Sequence, residues 1–353
     1  MRNRTALKKT IITLSAISMT AGLVACGDES SSTASGDNNE PLVVYSNSVS
    51  DGRGEWLAER ASEEGFELEF VDLGGGDIQD RLVAEQANPI ADVVFGLNNV
   101  FFENIKSQDV LEPYTPEWSD EVEPGIGDDE QYWPIVREPI MLVYKTDAYS
   151  ASEAPQDWPD LWENERFHGR YETPTGLGGA TTQMVLSGIL SRYLDESGDL
   201  GVSDEGWAAI EAYFENGSPA VQGTDLYARM ANGQVDAGQM WLAGKATREE
   251  EYGIDTTPAQ PEIGVPMATQ HIALVKGSEN PKAQEFIDWF GSAEIQAEWS
   301  NEFFTAPTNK EALPAADQEA VEQTASFEAQ DIDWETVAAR LPEWIEKIEL
   351  QYM

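Results

Sequence analysis

The residues of this 353-residue chain best suited to holding a small molecule are uncharged donors and acceptors gathered in short polar runs. Ser46, Asn47 and Ser48 follow the apolar run PLVVY, and Asn98 and Asn99 follow ADVVFGL. Amides and hydroxyls donate and accept, so they can grip a neutral or an ionic solute. They equally satisfy their own loop backbone or cap the next helix. The run TGLGGATT at 175–182, with Thr175, Gly178, Gly179 and Thr181, leads into an apolar helical segment. The first turn of such a helix presents unpaired N–H groups and a positive dipole end, a seat for an anion or a carbonyl. The bland alternative is that Thr181 or Thr182 only caps it. Trp241 offers an aromatic face to a planar or cationic group, or simply packs. Arg137 and Arg229 can fork onto a carboxylate or phosphonate, although most arginines are surface ion-pair partners. His168 and His271 are the two histidines and lie far apart in sequence, which argues against a two-histidine metal site. His271 is a candidate contact or a structural hydrogen-bond donor.

Catalytic patterns are absent. No G-x-S-x-G elbow, H-E-x-x-H helix or phosphate-binding P-loop occurs, and Gly74, Gly75 and Gly76 lack the G-x-G-x-x-G spacing of a dinucleotide site. With 65 Asp and Glu residues, neighbouring carboxylates arise by chance and do not mark a hydrolase. The expectation is a binding protein without a cofactor or a resident metal. A secreted enzyme or a surface adhesin is the rival of another class.

The first 25 residues carry Arg2, Arg4, Lys8 and Lys9 ahead of an apolar stretch from Ile11 to Ala25, the pattern of a secretory signal peptide. Leu23-Val24-Ala25-Cys26 resembles the lipobox of bacterial lipoproteins, which implies cleavage before Cys26 and acylation of its thiol. Cys26 is the single cysteine, so disulfides, cysteine-based metal sites and a cysteine nucleophile are excluded. Removing four basic residues from 21 leaves 17 against 65 acidic ones, a formal charge of −48. So acidic a surface repels nucleic acid and anionic lipid. Residues 26–40, rich in Ser, Gly and Asp, read as a flexible tether.

From Pro41 the pattern alternates strand and helix: PLVVYS, GRGEWLAERASEEG, FELEFVDL, DIQDRLVAEQ, ADVVFGL. This predicts an α/β sheet with parallel pairing, whose ligands sit beyond the carboxyl ends of the strands. A fourth strand is expected over 139–144, a change of composition over 146–266, and a strand again over 270–275. Two lobes follow, 41–145 plus 268–353 and, inserted between them, 146–267.

The ordered segments DRLVAEQANPIADVVFGLNN, APQDWPDLWENERFHGRYETP, HIALVKGSENPKAQEFIDWFGSAEIQAEW and PTN resemble the bacterial solute-binding proteins of ABC importers, in the class that binds ferric iron, thiamine, polyamines or phosphonates. The resemblance implies an α/β, two-lobed type II periplasmic-binding-protein fold with a hinge and an interlobe cleft. It implies a monomeric receptor, lipid-anchored to the extracytoplasmic face of the cell membrane, that delivers a small solute to an ABC permease. Closure would shift a hinge equilibrium, since a solute touches both lobes only in the closed form. Met240-Trp241-Leu242 stands where ferric members carry an adjacent tyrosine pair, and Asn98 stands where the thiamine branch carries an acidic residue. The expected solute is thiamine-like, a phosphonate or a phosphorylated compound, with ferric iron or an iron chelate as the alternative.

Overall fold

The computed structural model of the protein describes residues 40–124, 126–128 and 130–353. The expected signal peptide, Cys26 and all of the expected tether but Glu40 lie outside these. In chain order the first half holds β1 (Leu42–Ser46), α1 (Arg53–Glu63), β2 (Leu68–Asp72), α2 (Gly75–Ala84), β3 (Val93–Phe95), α3 (Asn99–Ser107), β4 (Leu111–Glu112) and β5 (Trp133–Lys145). Next come α4 (Asp160–Glu163), β6 (Glu172–Thr173), α5 (Ala180–Leu190), β7 (Leu194–Asp199), α6 (Asp204–Asn216), β8 (Ser218–Pro219), α7 (Leu226–Ala231), β9 (Ala237–Trp241), α8 (Leu242–Tyr252) and β10 (Thr256–Pro258). The chain ends with β11 (Met267–Val275), α9 (Lys282–Phe290), α10 (Ala293–Phe303), β12 (Ala306–Pro307), α11 (Gln318–Ala325) and α12 (Trp334–Gln351).

Parallel pairing holds where βαβ units build the sheet: β1 lies between β2 and β3, parallel to both. β11 then joins β3 antiparallel, and β5 joins β11 antiparallel. The expected strand over 139–144 is the second half of a longer one. β5 pairs through Pro139 with β11 and from Ile140 onward with β9, so a single strand passes from one lobe's sheet into the other's. The lobes thus change over at 139–140 and again between β10 and β11.

Each sheet buries apolar side chains against helices. The first lobe packs Leu57 and Ala61 of α1 with Phe286, Phe290 and Trp299 of α9 and α10 on one face, and Ile78, Phe101 and Phe102 of α2 and α3 on the other. In the second lobe Trp158, Met184, Leu186, Ile210 and Tyr213 form the core. Burying side chains of this size contributes about 1.5–3 kcal/mol each. Val337, Leu341, Trp344 and Ile348 of α12 join that second-lobe core, and the Trp344 indole donates to the Leu200 carbonyl at 3.0 Å. The C-terminal helix therefore joins the inserted lobe's core while packing most extensively on α3 of the first lobe, with which its sequence position groups it. Among the described residues no helix is long and apolar enough to cross a membrane.

Candidate functional site

β5 and β11 run side by side where the lobes meet, and side chains alternate across them. Glu138 and Ile140 on β5, with Ala268 and Gln270 on β11, face a cavity of about 340 Å³. Arg137 and Met267 face a different pocket behind the strands. The first lobe lines the cavity with Asn47, Ser48, Ser50, Asp51 and Arg53 from the segment joining β1 to α1, and with Gly96 and Asn98 after β3. The second lobe adds Ala180, Thr181 and Met184 of α5, and Trp241 and Arg248.

The loops at the ends of β1 and β3 are locked together. Ser48 Oγ lies 3.3 Å from Gln270 Oε1 and 3.4 Å from the Gly96 carbonyl. Gly96 has φ 90, and a Cβ there would stand 2.5 Å from Ser48 Oγ, so glycine is required. Asn98 is both a cap and part of the cavity lining. Its Oδ1 accepts the Phe101 N–H at 3.4 Å, capping α3, while its side chain lines the cavity. The Asn98 Nδ2 is buried and has no acceptor among the described residues.

Two helices of the second lobe begin at this cavity, and they differ. α8 starts after Trp241, which gives no side-chain cap; instead Glu138 reaches from β5, its Oε1 accepting the Ala243 N–H at 2.9 Å. α5 starts after Gly179 with no side-chain cap, and the N–H groups of Ala180, Thr181 and Thr182 donate to no described residue. One helix mouth is plugged by an internal carboxylate and the other is open.

Arg53 is the first residue of α1, and among the described residues no carboxylate lies within ion-pair distance of it. Its guanidinium stands 5.5 Å from the Phe303 ring. Arg248, by contrast, donates to Asp225 at 2.8 Å and stacks 4.7 Å over the Trp241 ring. Glu138 is 8% exposed, and burial pushes its carboxyl above the usual range against the lowering effects of the Ala243 bond and the Arg53 charge.

Asn47, Ser48, Asn98, Thr181 and Trp241 are thus brought together from the expected set, and Trp241 already carries a cationic partner in Arg248. The remaining candidates lie elsewhere. Ser46 is buried and its hydroxyl accepts the Ser48 N–H at 3.0 Å. Asn99 Oδ1 accepts the Thr269 N–H at 2.8 Å, tying α3 to β11. Thr175, Gly178 and Gly179 are exposed on the approach to α5 and outside the lining. His271 is sealed in the first-lobe core, its Nε2 donating to the Ile126 carbonyl at 2.9 Å, with its ring edge-on to Tyr132 and Phe102. Burial lowers it to about 4, so it is neutral at physiological pH. Arg229 is buried in an ion pair with Glu172 at 2.6 Å, and His168 Nε2 bonds the Trp162 carbonyl at 3.0 Å.

Arg53, Glu138 and Gln270 were not expected. Arg53 carried a signal, since a cation at the first position of a helix opposes the dipole. Glu138 carried another, as a carboxylate inside the apolar strand WPIVREPIMLVYK. No tyrosine lines the cavity, and among the described residues no group of three His, Cys, Asp or Glu side chains is placed to hold a metal ion.

Residues 55–329 match the family model described as bacterial extracellular solute-binding protein. The chain belongs to that family. Among its relatives, the "Probable ABC transporter periplasmic-binding protein y4fP" of Sinorhizobium fredii is 31% identical, over 88% of this chain and 86% of the relative. The "Putative 2-aminoethylphosphonate-binding periplasmic protein" of Salmonella typhimurium is 22% identical over 85% of this chain and 89% of its own length. The same two-lobed fold recurs in solved structures. The ferric binding protein from Campylobacter jejuni superposes with a TM-score of 0.72 at 17% identity, covering 88% of this chain and 99% of that one. The periplasmic binding protein AfuA from Actinobacillus pleuropneumoniae, with fructose-6-phosphate bound, gives 0.70 at 19% identity, covering 88% and 99%. As an extracellular solute-binding protein of an ABC importer, the chain has the two-lobed fold and a cavity lined from both lobes.

Proposed function

We propose that the solute of this binding protein carries a phosphonate, phosphate or comparable anionic group, held between the lobes and handed to the permease. The observation that supports this most is the set of unused donors that both lobes present to one cavity. The first lobe offers the Arg53 guanidinium, with Asn98 and its unpartnered amide in the same lining, and the second offers the open first turn of α5 with Thr181. An anion bridging the two satisfies groups that otherwise lie unpaired, so its binding favours the closed arrangement. A helix mouth adjoining a guanidinium suits a tetrahedral oxyanion. The long-range field of the acidic surface opposes any anion, which makes these local donors necessary. The name of the Salmonella relative and the bound sugar phosphate of AfuA are in keeping with this chemistry, whereas a lining without tyrosine gives ferric iron no phenolate.

Calorimetric titration of the mature chain with phosphonates, phosphate esters, thiamine and ferric citrate tests the reading. A phosphonate or phosphate ester is expected to bind, and Arg53→Ala to weaken it about 10- to 100-fold, the worth of a hydrogen bond to a charged group. Binding of only thiamine or the iron chelate would overturn it. Anchoring through Cys26 is the second part of the proposal, supported by the lipobox-like LVAC at 23–26. Cys26→Ala is expected to move the protein from the membrane fraction to the soluble one, and an unchanged distribution would refute the anchor.

A further inference from the structure

The cavity is not simply cationic. Its lining pairs two guanidinium groups, Arg53 and Arg248, with two carboxylates, Asp51 and Glu138. Arg248 is already ion-paired with Asp225, which leaves Arg53 and the carboxylates outside any ion pair among the described residues, with Arg53 near enough for its charge to act on Glu138. Among these Glu138 is the telling one, because it is almost fully buried on the cavity floor where the lobes join.

Capping α8 accounts for only half of this side chain. The Ala243 N–H uses one carboxylate oxygen, and among the described residues no donor meets the other. A glutamine would accept the same bond without a buried charge. A serine or aspartate at the position of Trp241 would cap the helix locally. The apolar walls provided by Ile140 and Met184 make an unmatched charge here costly and a matched one strong.

We propose that the solute is zwitterionic, with an ammonium group that donates to the free oxygen of Glu138 while its anionic group meets Arg53 and the mouth of α5. This rests on the anionic-group reading above and adds the second charge to it. Asp51, more exposed on the β1–α1 segment, contributes to the field at the cavity's rim. A purely anionic solute would leave Glu138 facing it unneutralised, and a purely cationic one would meet Arg53. Glu138 then sets specificity: it separates aminated from non-aminated solutes of the same size.

The test uses matched probes against the mature chain: 2-aminoethylphosphonate against propylphosphonate, and O-phosphoethanolamine against propyl phosphate. The aminated member of a pair is expected to bind about 10- to 100-fold tighter, the range for a charge-assisted hydrogen bond. Glu138→Gln, which keeps the acceptor for Ala243, is expected to erase that margin, the aminated member losing affinity and the non-aminated one gaining it. Equal or tighter binding of the non-aminated members overturns the inference and leaves the anionic reading standing. A margin that survives Glu138→Gln also overturns it. No binding by any of the four overturns both. The wild-type pairs decide the matter even if the variant does not fold.

Discussion

Two buried ionisable groups sit on the paired strands where the lobes meet, Glu138 on β5 and His271 on β11, and their surroundings differ in kind. Both are driven toward the neutral form by burial. His271 is closed in by Phe102 and Tyr132 and gives its proton to a backbone carbonyl. Glu138 lines a cavity and keeps one oxygen without a donor. Burial alone therefore does not mark a functional group. An unused valence opening on a cavity is what sets Glu138 apart from His271, and the first turn of α5 shares it.

The contrast predicts opposite pH dependences at the two groups. The folded value of His271, about 4, lies below the ordinary 6.5, so its contribution to stability is complete above 6.5 and lost as the pH falls through 4. A depression of that size corresponds to roughly 3 kcal/mol. His271→Gln is expected to flatten this loss in denaturant melts between pH 7 and 4. An acid limb identical to wild type would place the titration elsewhere and remove His271 from the comparison.

Glu138 works the other way. Its folded value is raised above the ordinary 4.5, so its contribution is complete below 4.5 and is lost as the pH rises through the raised value. Where the group is ionised, its burial makes the charge a cost to the folded state. Glu138→Gln is expected to stabilise the unliganded protein at pH 7 by about 0.5–2 kcal/mol, with the difference vanishing toward pH 4. A variant less stable than wild type at pH 7 would mean that the charge itself supports the α8 cap, and the contrast with His271 would fail.

Much of the fold was legible because hydrophobic period and turn residues are local. The strands over 42–46 and 93–95, and the helices between them, follow from spacing alone. The α12 docking was hidden, since an amphipathic helix does not name the surface it covers, and here that surface spans α3 of the first lobe and the core of the second. The site divided along the same line. Asn47, Ser48, Asn98 and Thr181 follow strand ends or open a helix, the positions at which α/β sheets leave room for ligands, and they line the cavity. Glu138 gains its surroundings from residues such as Ala243, more than a hundred positions away, so its part in the cavity depended on pairing between lobes that no local pattern encodes.

The smallest expected effects belong to the adjacent asparagines, which separate binding from architecture one residue apart. Asn99 spends its side-chain oxygen on the Thr269 N–H and lies outside the lining, so Asn99→Ala leaves a strand donor unmatched. It is expected to cost about 1 kcal/mol of stability and little affinity. Asn98 caps α3 through a long 3.4 Å bond, lines the cavity, and keeps a buried side-chain donor without a partner among the described residues. Asn98→Ala loses a cap worth about 1 kcal/mol and, in addition, a ligand contact. Asn98→Asp separates the two, since a carboxylate caps at least as well but has no donor and repels an anion. That variant is expected to keep the wild-type melting temperature and to bind the solute about tenfold or more weakly. Tighter binding in Asn98→Asp, measured by calorimetry, would mean that a cationic part of the solute sits at this end of the cavity, reversing the orientation in which the anionic group faces Arg53 and α5.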